Sequence, residues 1–338
     1  MIKNLILRGF KNIRDENFVM KPVTVFTGLN STGKSSVLQS ILLLNKETTL
    51  NGIRFLNNVP SVFQTLRNIY INAKEIFVAC ETDYGKVDYR LTPEEKFITP
   101  EHREGIVPEF EKALFYLSAN RTGVENDAAL SVDLVCGTDG RFLYGTYERE
   151  KSRPLDEALV RYRESSTLAS QVNYWLTYIL GFDVQLTTEK RSEDKVEIKF
   201  KNDGIPNLLP SQLGAGVSYL AKILILCLRA CKGDVIMIEN PEIHLHPAAQ
   251  SRLGEFFAFI ASASIQLILE THCEHLLNRL RYEVYRESIT TDDVIVYYKG
   301  GITEPFQPIH ILSDGKYDVE FPTGFFDATL KELLEMEG

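Results

Sequence analysis

Gly28-Leu29-Asn30-Ser31-Thr32-Gly33-Lys34-Ser35 fills every fixed position of the pattern G-x-x-x-x-G-K-[ST]. A short β-like run, Val23-Thr24-Val25-Phe26, leads into it, and a helix-like run, Ser36-Val37-Leu38-Gln39-Ser40-Ile41-Leu42-Leu43-Leu44, leaves it. Strand, tight loop and helix in that order restrict the chain to an α/β fold with the loop at the carboxyl end of a strand. Such a loop curls its backbone N–H groups around phosphates, and the helix N-terminus adds partial positive charge. Lys34 is expected to reach the terminal phosphates and the Ser35 hydroxyl to hold Mg2+. The ligand expected from these residues is a nucleoside triphosphate.

The rest of the composition narrows the class. A chain of 338 residues exceeds the size at which one hydrophobic core stops growing, so a large domain with an appended lobe is expected. A net charge of −9 argues against broad electrostatic capture of nucleic acid. A local basic groove stays open; Arg149, Lys151, Arg153, Arg161 and Arg163 are the candidates, read here as a solvated charged face. The best apolar stretch, Tyr219 to Ala230, is interrupted by Lys222 and Arg229 and is too short to span a bilayer. Met1 to Arg8 reads as a strand and not as a signal peptide. The cysteines at 80, 136, 227, 231 and 273 form no C-x-x-C pair, and Cys227 and Cys231 read as buried thiols one helical turn apart. A cytoplasmic location without membrane association is expected.

Along the chain, residues 75–80 and 86–91 read as strands, 93–108 as a charged loop and 113–118 as a buried strand ending at the polar turn Asn120-Arg121-Thr122-Gly123. A helical pattern is expected from Pro154 to Leu180, with Gly181 just past its end. Residues 182–186 and 195–200 read as a hairpin. From Val217 onward helices and short apolar strands alternate, which implies a mostly parallel sheet covered on both faces. One of those strands, Val235-Ile236-Met237-Ile238-Glu239, ends in a carboxylate that would lie near the Mg2+ of Ser35. Another ends in Glu270-Thr271-His272, where a histidine would reach a γ-phosphate or an attacking water.

Five segments then occur in a fixed order: Phe10-Lys11-Asn12, the loop at 28–36, Leu213-Gly214-Ala215-Gly216-Val217-Ser218, Ile238-Glu239-Asn240-Pro241-Glu242-Ile243-His244-Leu245-His246-Pro247, and Glu270-Thr271-His272-Cys273-Glu274-His275-Leu276-Leu277. Together they resemble ABC/SMC-type ATPases, in particular the AAA-type prokaryotic group related to the ATPase half of OLD proteins. The resemblance implies an ABC-type head with a mostly parallel core sheet, an antiparallel N-terminal β subdomain and a helical and hairpin lobe between the two nucleotide motifs. The corresponding division is 1–100, 101–205 and 206–338. The stretch from Ser35 to Val235 carries no heptads, so the lobe is no long coiled-coil arm.

The same resemblance implies two heads sandwiching two ATP molecules with Mg2+. Lys11, Asn12 and the loop residues Asn30 to Ser36 would contact the nucleotide in one subunit. Gly214, Ala215 and Gly216 would seal it from the twin. Gln64 would join Ser35 and Glu239 at the metal, and Lys34, Glu239, Glu242 and His272 would serve catalysis. Two departures stand out. Gly214 occupies a position where serine is usual. Asn240 stands where the catalytic glutamate is usual, and an amide orients water but cannot accept its proton. Glu242 is therefore expected to assist a slow hydrolysis. The resemblance accounts for Glu242, His244 and His246 without a transition metal. Partners implied by kinship are a second copy, a nearby-encoded nuclease or toxin effector, and DNA, in phage defence or DNA maintenance. The alternative is a switch driven by ATP occupancy with little turnover. A nuclease in its own right is disfavoured, because no acidic cluster of the Toprim kind follows the last core helix.

Overall fold

The apolar runs that end at Gly28, Glu270 and Glu239 lie side by side in a computed structural model, which describes residues 1–45, 63–93, 106–319 and 321. The chain opens with β1 (Ile2–Phe10), β2 (Ile13–Val19), β3 (Val23–Gly28) and helix α1 (Lys34–Leu42). A short α2 (Phe63–Leu66) precedes β4 (Ile76–Thr82), β5 (Gly85–Leu91), β6 (Leu114–Leu117) and β7 (Asp127–Ala129). Helices α3 (Leu143–Glu150) and α4 (Leu168–Leu180) lead to β8 (Val184–Lys190), β9 (Lys195–Asn202) and β10 (Ile205–Leu208). The last stretch is α5 (Ala215–Arg229), β11 (Val235–Glu239), α6 (Pro247–Ser262), β12 (Gln266–Glu270), α7 (Glu274–Tyr285), β13 (Val294–Lys299) and β14 (Gln307–Ile309).

The central sheet has the order β14-β13-β3-β12-β11-β6, and every pair is parallel except β13 with β14. β3, β11, β12 and β13 are buried at every position, because both faces are covered. Alternate residues still feed different cores, as the pleat demands. Val235 and Met237 join Phe26, Ile268 and Ile295 in a core shared with α1 and an antiparallel sheet of order β2-β1-β4-β5. Ile236 and Ile238 join Val25, Leu267 and Leu269 in a core shared with α4, α5, α6 and α7. There Trp175 of α4 meets the rings of Phe256 and Phe259 at 5.0 and 5.2 Å. Leu220, Ile223, Leu224, Ile225, Leu226 and Leu228 make α5 buried on nearly all sides, each contributing roughly 1.5–3 kcal/mol relative to exposure. Gln266 ties the first strand to this scaffold: its side-chain amide accepts from Ile2 N and donates to Ile2 O, both at 2.7 Å.

The doubly covered parallel sheet and the antiparallel N-terminal sheet agree with the expected fold class. Residues 101–205 send β6 into the central sheet beside β11, place α3 and α4 in the helical core, and form a smaller sheet from β7, β8 and β9, with β10. Three local expectations are corrected. The helix does not run from Pro154; it starts at Leu168, where the Thr167 hydroxyl caps it by accepting from Ser170 N. Pro154 instead bridges to Thr167, and the fully buried Gln171 amide bonds to Arg161 N, Tyr162 N, Tyr162 O and Ser165 O, satisfying a loop that has no helical partners. Helix α3, which buries Leu143, Tyr144 and Tyr147, was not expected. Cys231 is exposed, because α5 ends two residues before it, while Cys227 is buried as expected. Most of the charged loop expected at 93–108 lies outside the described residues, as do Pro60, Ser61 and Val62 before Gln64. Among the described residues no helix is long and apolar enough to cross a membrane.

Candidate nucleotide site

The loop at 28–35 is shaped by two glycines that no other residue could replace without strain. Gly28 has φ 130°, and a Cβ on it would lie 2.1 Å from the Lys299 carbonyl oxygen; Gly33 has φ 104°, and its Cβ would lie 2.0 Å from Asn12 Oδ1. Gly33 is the N-cap of α1 and supplies no side-chain acceptor, so the first-turn N–H groups are open to an anion. Lys34 is buried and folds back across the loop, its ammonium donating to Gly28 O at 3.2 Å and Leu29 O at 2.6 Å. Burial pulls its pKa down, and the Glu270 charge pulls the other way. The Thr32 hydroxyl donates to Leu29 O at 2.8 Å, which tightens the turn.

The turn between β1 and β2 closes over this loop. Asn12 Nδ2 donates to Ser31 O at 3.3 Å, and Lys11 Nζ donates to Gln39 Oε1. The result is a shallow cleft of about 380 Å3 lined by Lys11, Asn12, Ser31, Gly33, Ser35, Ser36 and Gln39, with Tyr70 and Ile302 at its rim.

Two strand ends bring carboxylates to the same edge. β11 and β12 run parallel with Glu239 opposite Glu270. Glu239 Oε1 accepts from the Tyr116 hydroxyl at 2.6 Å and Oε2 from Ala119 N at 2.9 Å. Burial and then the Glu239 charge push the pKa of Glu270 up to about 7, while the Ser35 side chain and the Lys34 charge pull it down. Burial also raises Glu242, whose Oε1 accepts from His272 N at 3.2 Å. Partial burial and the Lys34 charge hold the His272 pKa below the usual range, with the Gly28 backbone pulling the other way. Arg121 fixes the turn after β11: it donates to Glu239 O and Asn240 O, both at 2.7 Å, with its guanidinium 5.2 Å over the Tyr219 ring. Burial lowers its pKa to about 10. The same segment is anchored at its far side by Lys222 of α5, fully buried, which donates to Thr122 O at 2.9 Å and pairs with Glu125 at 2.7 Å.

The fold has counterparts among solved structures. An SMC head bound to the C-winged helix domain of ScpA superposes with a TM-score of 0.57 at 14% identity, covering 92% of this chain and 98% of that one. A Pyrococcus furiosus Smc head with an extended coiled coil, bound to the C-terminal domain of ScpA, gives 0.56 at 14% identity over 100% and 99%. The chain has the fold of an SMC head. Residues 140–278 also match a family profile described as "AAA domain, putative AbiEii toxin, Type IV TA system", a span that contains Glu239, Glu242, Glu270 and His272. No curated protein matches the chain in sequence.

Lys11, Asn12, Ser31, Gly33, Lys34, Ser35, Ser36, Glu239, Glu242 and His272 all gather at one edge of the central sheet, and Asn30 is exposed on the loop beside them. Gln64 is exposed on α2, whose Leu66 carbonyl accepts from Lys11 N at 2.6 Å. Gly214 is the exposed N-cap of α5, with open space where a Cβ would be, and Ala215 is half-buried. Gly216 is different: a Cβ there would sit 2.5 Å from the His244 carbonyl of its own chain, so its smallness serves internal packing. His244 and His246 are used locally. The His244 ring packs 5.1 Å from Tyr219, and His246 Nδ1 accepts from Ala248 N at 3.3 Å as the N-cap of α6. Tyr116, Arg121, Gln39 and Glu270 were not foreseen as site residues. The donors around Ser35 are oxygens, the set that suits Mg2+.

Proposed function

We propose that the chain is a Mg2+-dependent ATPase that works as a pair of heads and governs an effector protein or a DNA transaction. The observation that carries this reading is the meeting of the glycine loop, Lys34, Ser35 and Glu239 at one sheet edge, on a fold shared with SMC heads. Lys34 would exchange the Gly28 and Leu29 carbonyls for phosphate oxygens, and the open N–H groups of α1 would cradle the rest. Ser35 and Glu239 would hold the cation, whose chemistry is to neutralise charge on the transferring phosphoryl group. Asn240 would orient the water, Glu242 would receive its proton, and His272 would face the γ-phosphate.

Pairing follows from the exposed N-cap Gly214, whose uncapped helix end would close over the partner's nucleotide. The structural relatives are SMC heads bound to ScpA, which supports a protein partner by analogy. Kinship to OLD-related ATPases, the three-part division of the chain and a role in phage defence belong to the same reading; the toxin-system description of the matching profile is consistent with the last. Mass measurement with and without ATP tests it. The parent is expected to pair with nucleotide, and Lys34→Ala to stay single and to lose nucleotide binding at least a hundredfold. Tight ATP binding by Lys34→Ala, with no effect of nucleotide on pairing, would discard the reading.

One observation favours a second reading. Asn240 cannot act as a base, so occupancy alone could set the assembly state. Phosphate release at saturating ATP separates the two: turnover below ~0.001 per second, near that of an unassisted switch GTPase, would select the occupancy switch.

A further inference from the structure

The two carboxylates at the phosphate loop differ in what they have left to give. Both oxygens of Glu239 already accept hydrogen bonds, from Tyr116 and from Ala119. Glu270 is 6% exposed and, among the described residues, its buried Oε2 has no hydrogen-bond partner. A buried carboxylate oxygen left open is costly unless something fills it. Lys34, whose charge acts on Glu270, gives its ammonium to the carbonyls of Gly28 and Leu29 instead. Adjacent strands lie about 4.8 Å apart, so the in-register pair Glu239 and Glu270 presents two negative groups to one small volume beside the Ser35 hydroxyl.

We propose that Glu270 is a direct ligand of the divalent cation that accompanies the nucleotide, sharing it with Ser35 and with Glu239. The assignment rests on the nucleotide-site reading above and adds a ligand to it. Magnesium sites of this kind use one or two carboxylates together with phosphate oxygens. Glu270 ends β12 in register with Glu239 and is influenced by Ser35 and Lys34, on the cation side of the phosphates, whereas Glu242, whose Oε1 accepts from His272 N, lies toward the water side.

The test is a Mn2+ titration followed by electron paramagnetic resonance, with the non-hydrolysable analogue AMPPNP present. Glu270→Gln is expected to weaken Mn2+ binding at least tenfold, with Glu270→Asp intermediate. Binding of a fluorescent ATP analogue in EDTA is expected to stay within twofold of the parent. Near-ultraviolet circular dichroism checks the fold, and Glu270→Asp carries the test should the glutamine variant misfold. Mn2+ affinity within twofold of the parent in Glu270→Gln overturns the assignment; if turnover were lost all the same, Glu270 would belong to the attacking water. A parent that bound neither analogue nor Mn2+ would sink the nucleotide-site reading itself, a separate failure.

Discussion

Two glycine-flanked helix N-termini dominate this head, and they use glycine for different reasons. At the start of α1 the glycines have positive φ and face backbone or side-chain atoms at about 2 Å, so the loop shape depends on them. At the start of α5, Gly214 has φ −62° and ψ 139°, an ordinary conformation with open space around it, and Gly216 is pressed against its own chain. The first turn is constrained from within. The second presents one free residue, Gly214, and one packed residue, Gly216, two positions apart. A shared sequence look thus conceals a loop that must fit a ligand and a turn that must first fit its own protein.

The comparison can be broken by substitution. Gly33→Ala is expected to have the largest effect, because it places a Cβ into Asn12 and asks an L-residue to hold φ 104°. ATP affinity should fall more than tenfold by calorimetry; unchanged affinity would show that the loop tolerates what its geometry forbids. Gly216→Ala should leave nucleotide binding by the isolated head intact but destabilise the fold by about 1–3 kcal/mol in urea, the cost of overpacking against His244. A drop in single-head affinity with no stability loss would reverse the assignment. Gly214→Ser should raise stability by a few tenths of a kcal/mol, since a hydroxyl would cap α5. It should also strengthen ATP-dependent pairing; weaker pairing with a gain in stability would mean the bare turn itself is what the twin recognises. The smallest expected effect is chemical. Cys231 should react with maleimide in the native state, while Cys80, held up to about 12 by burial, and the buried Cys136, Cys227 and Cys273 should not. Rapid labelling of more than one thiol by mass spectrometry would contradict that packing.

Much of the head was legible because its strands are short apolar runs between helices and its loop follows a spacing set by phosphate geometry. The carboxylates were only half legible. Glu270 ends an apolar strand just as Glu239 does, but what brings it beside Glu239 and the phosphate loop is strand order and register, which no local pattern encodes. Tyr116 sits in the buried run Leu114–Leu117 and reads as core until β6 is seen beside β11. Arg121 looks like a turn residue because two of its three backbone carbonyl partners lie more than a hundred positions away. The expected helix from Pro154 failed for the same reason: Gln171, a polar residue inside a helix, satisfies the preceding loop.

Segment 118–125 has a mechanical consequence. Arg121 grips the carbonyls of Glu239 and Asn240 at one end, and Thr122 and Glu125 receive Lys222 from the middle of α5 at the other. No slack loop separates the two grips, so this short span acts as a tie rod. With the two grips on the neighbouring residues Arg121 and Thr122, a displacement of the middle of α5 that kept both sets of bonds would carry the turn at Asn240 with it.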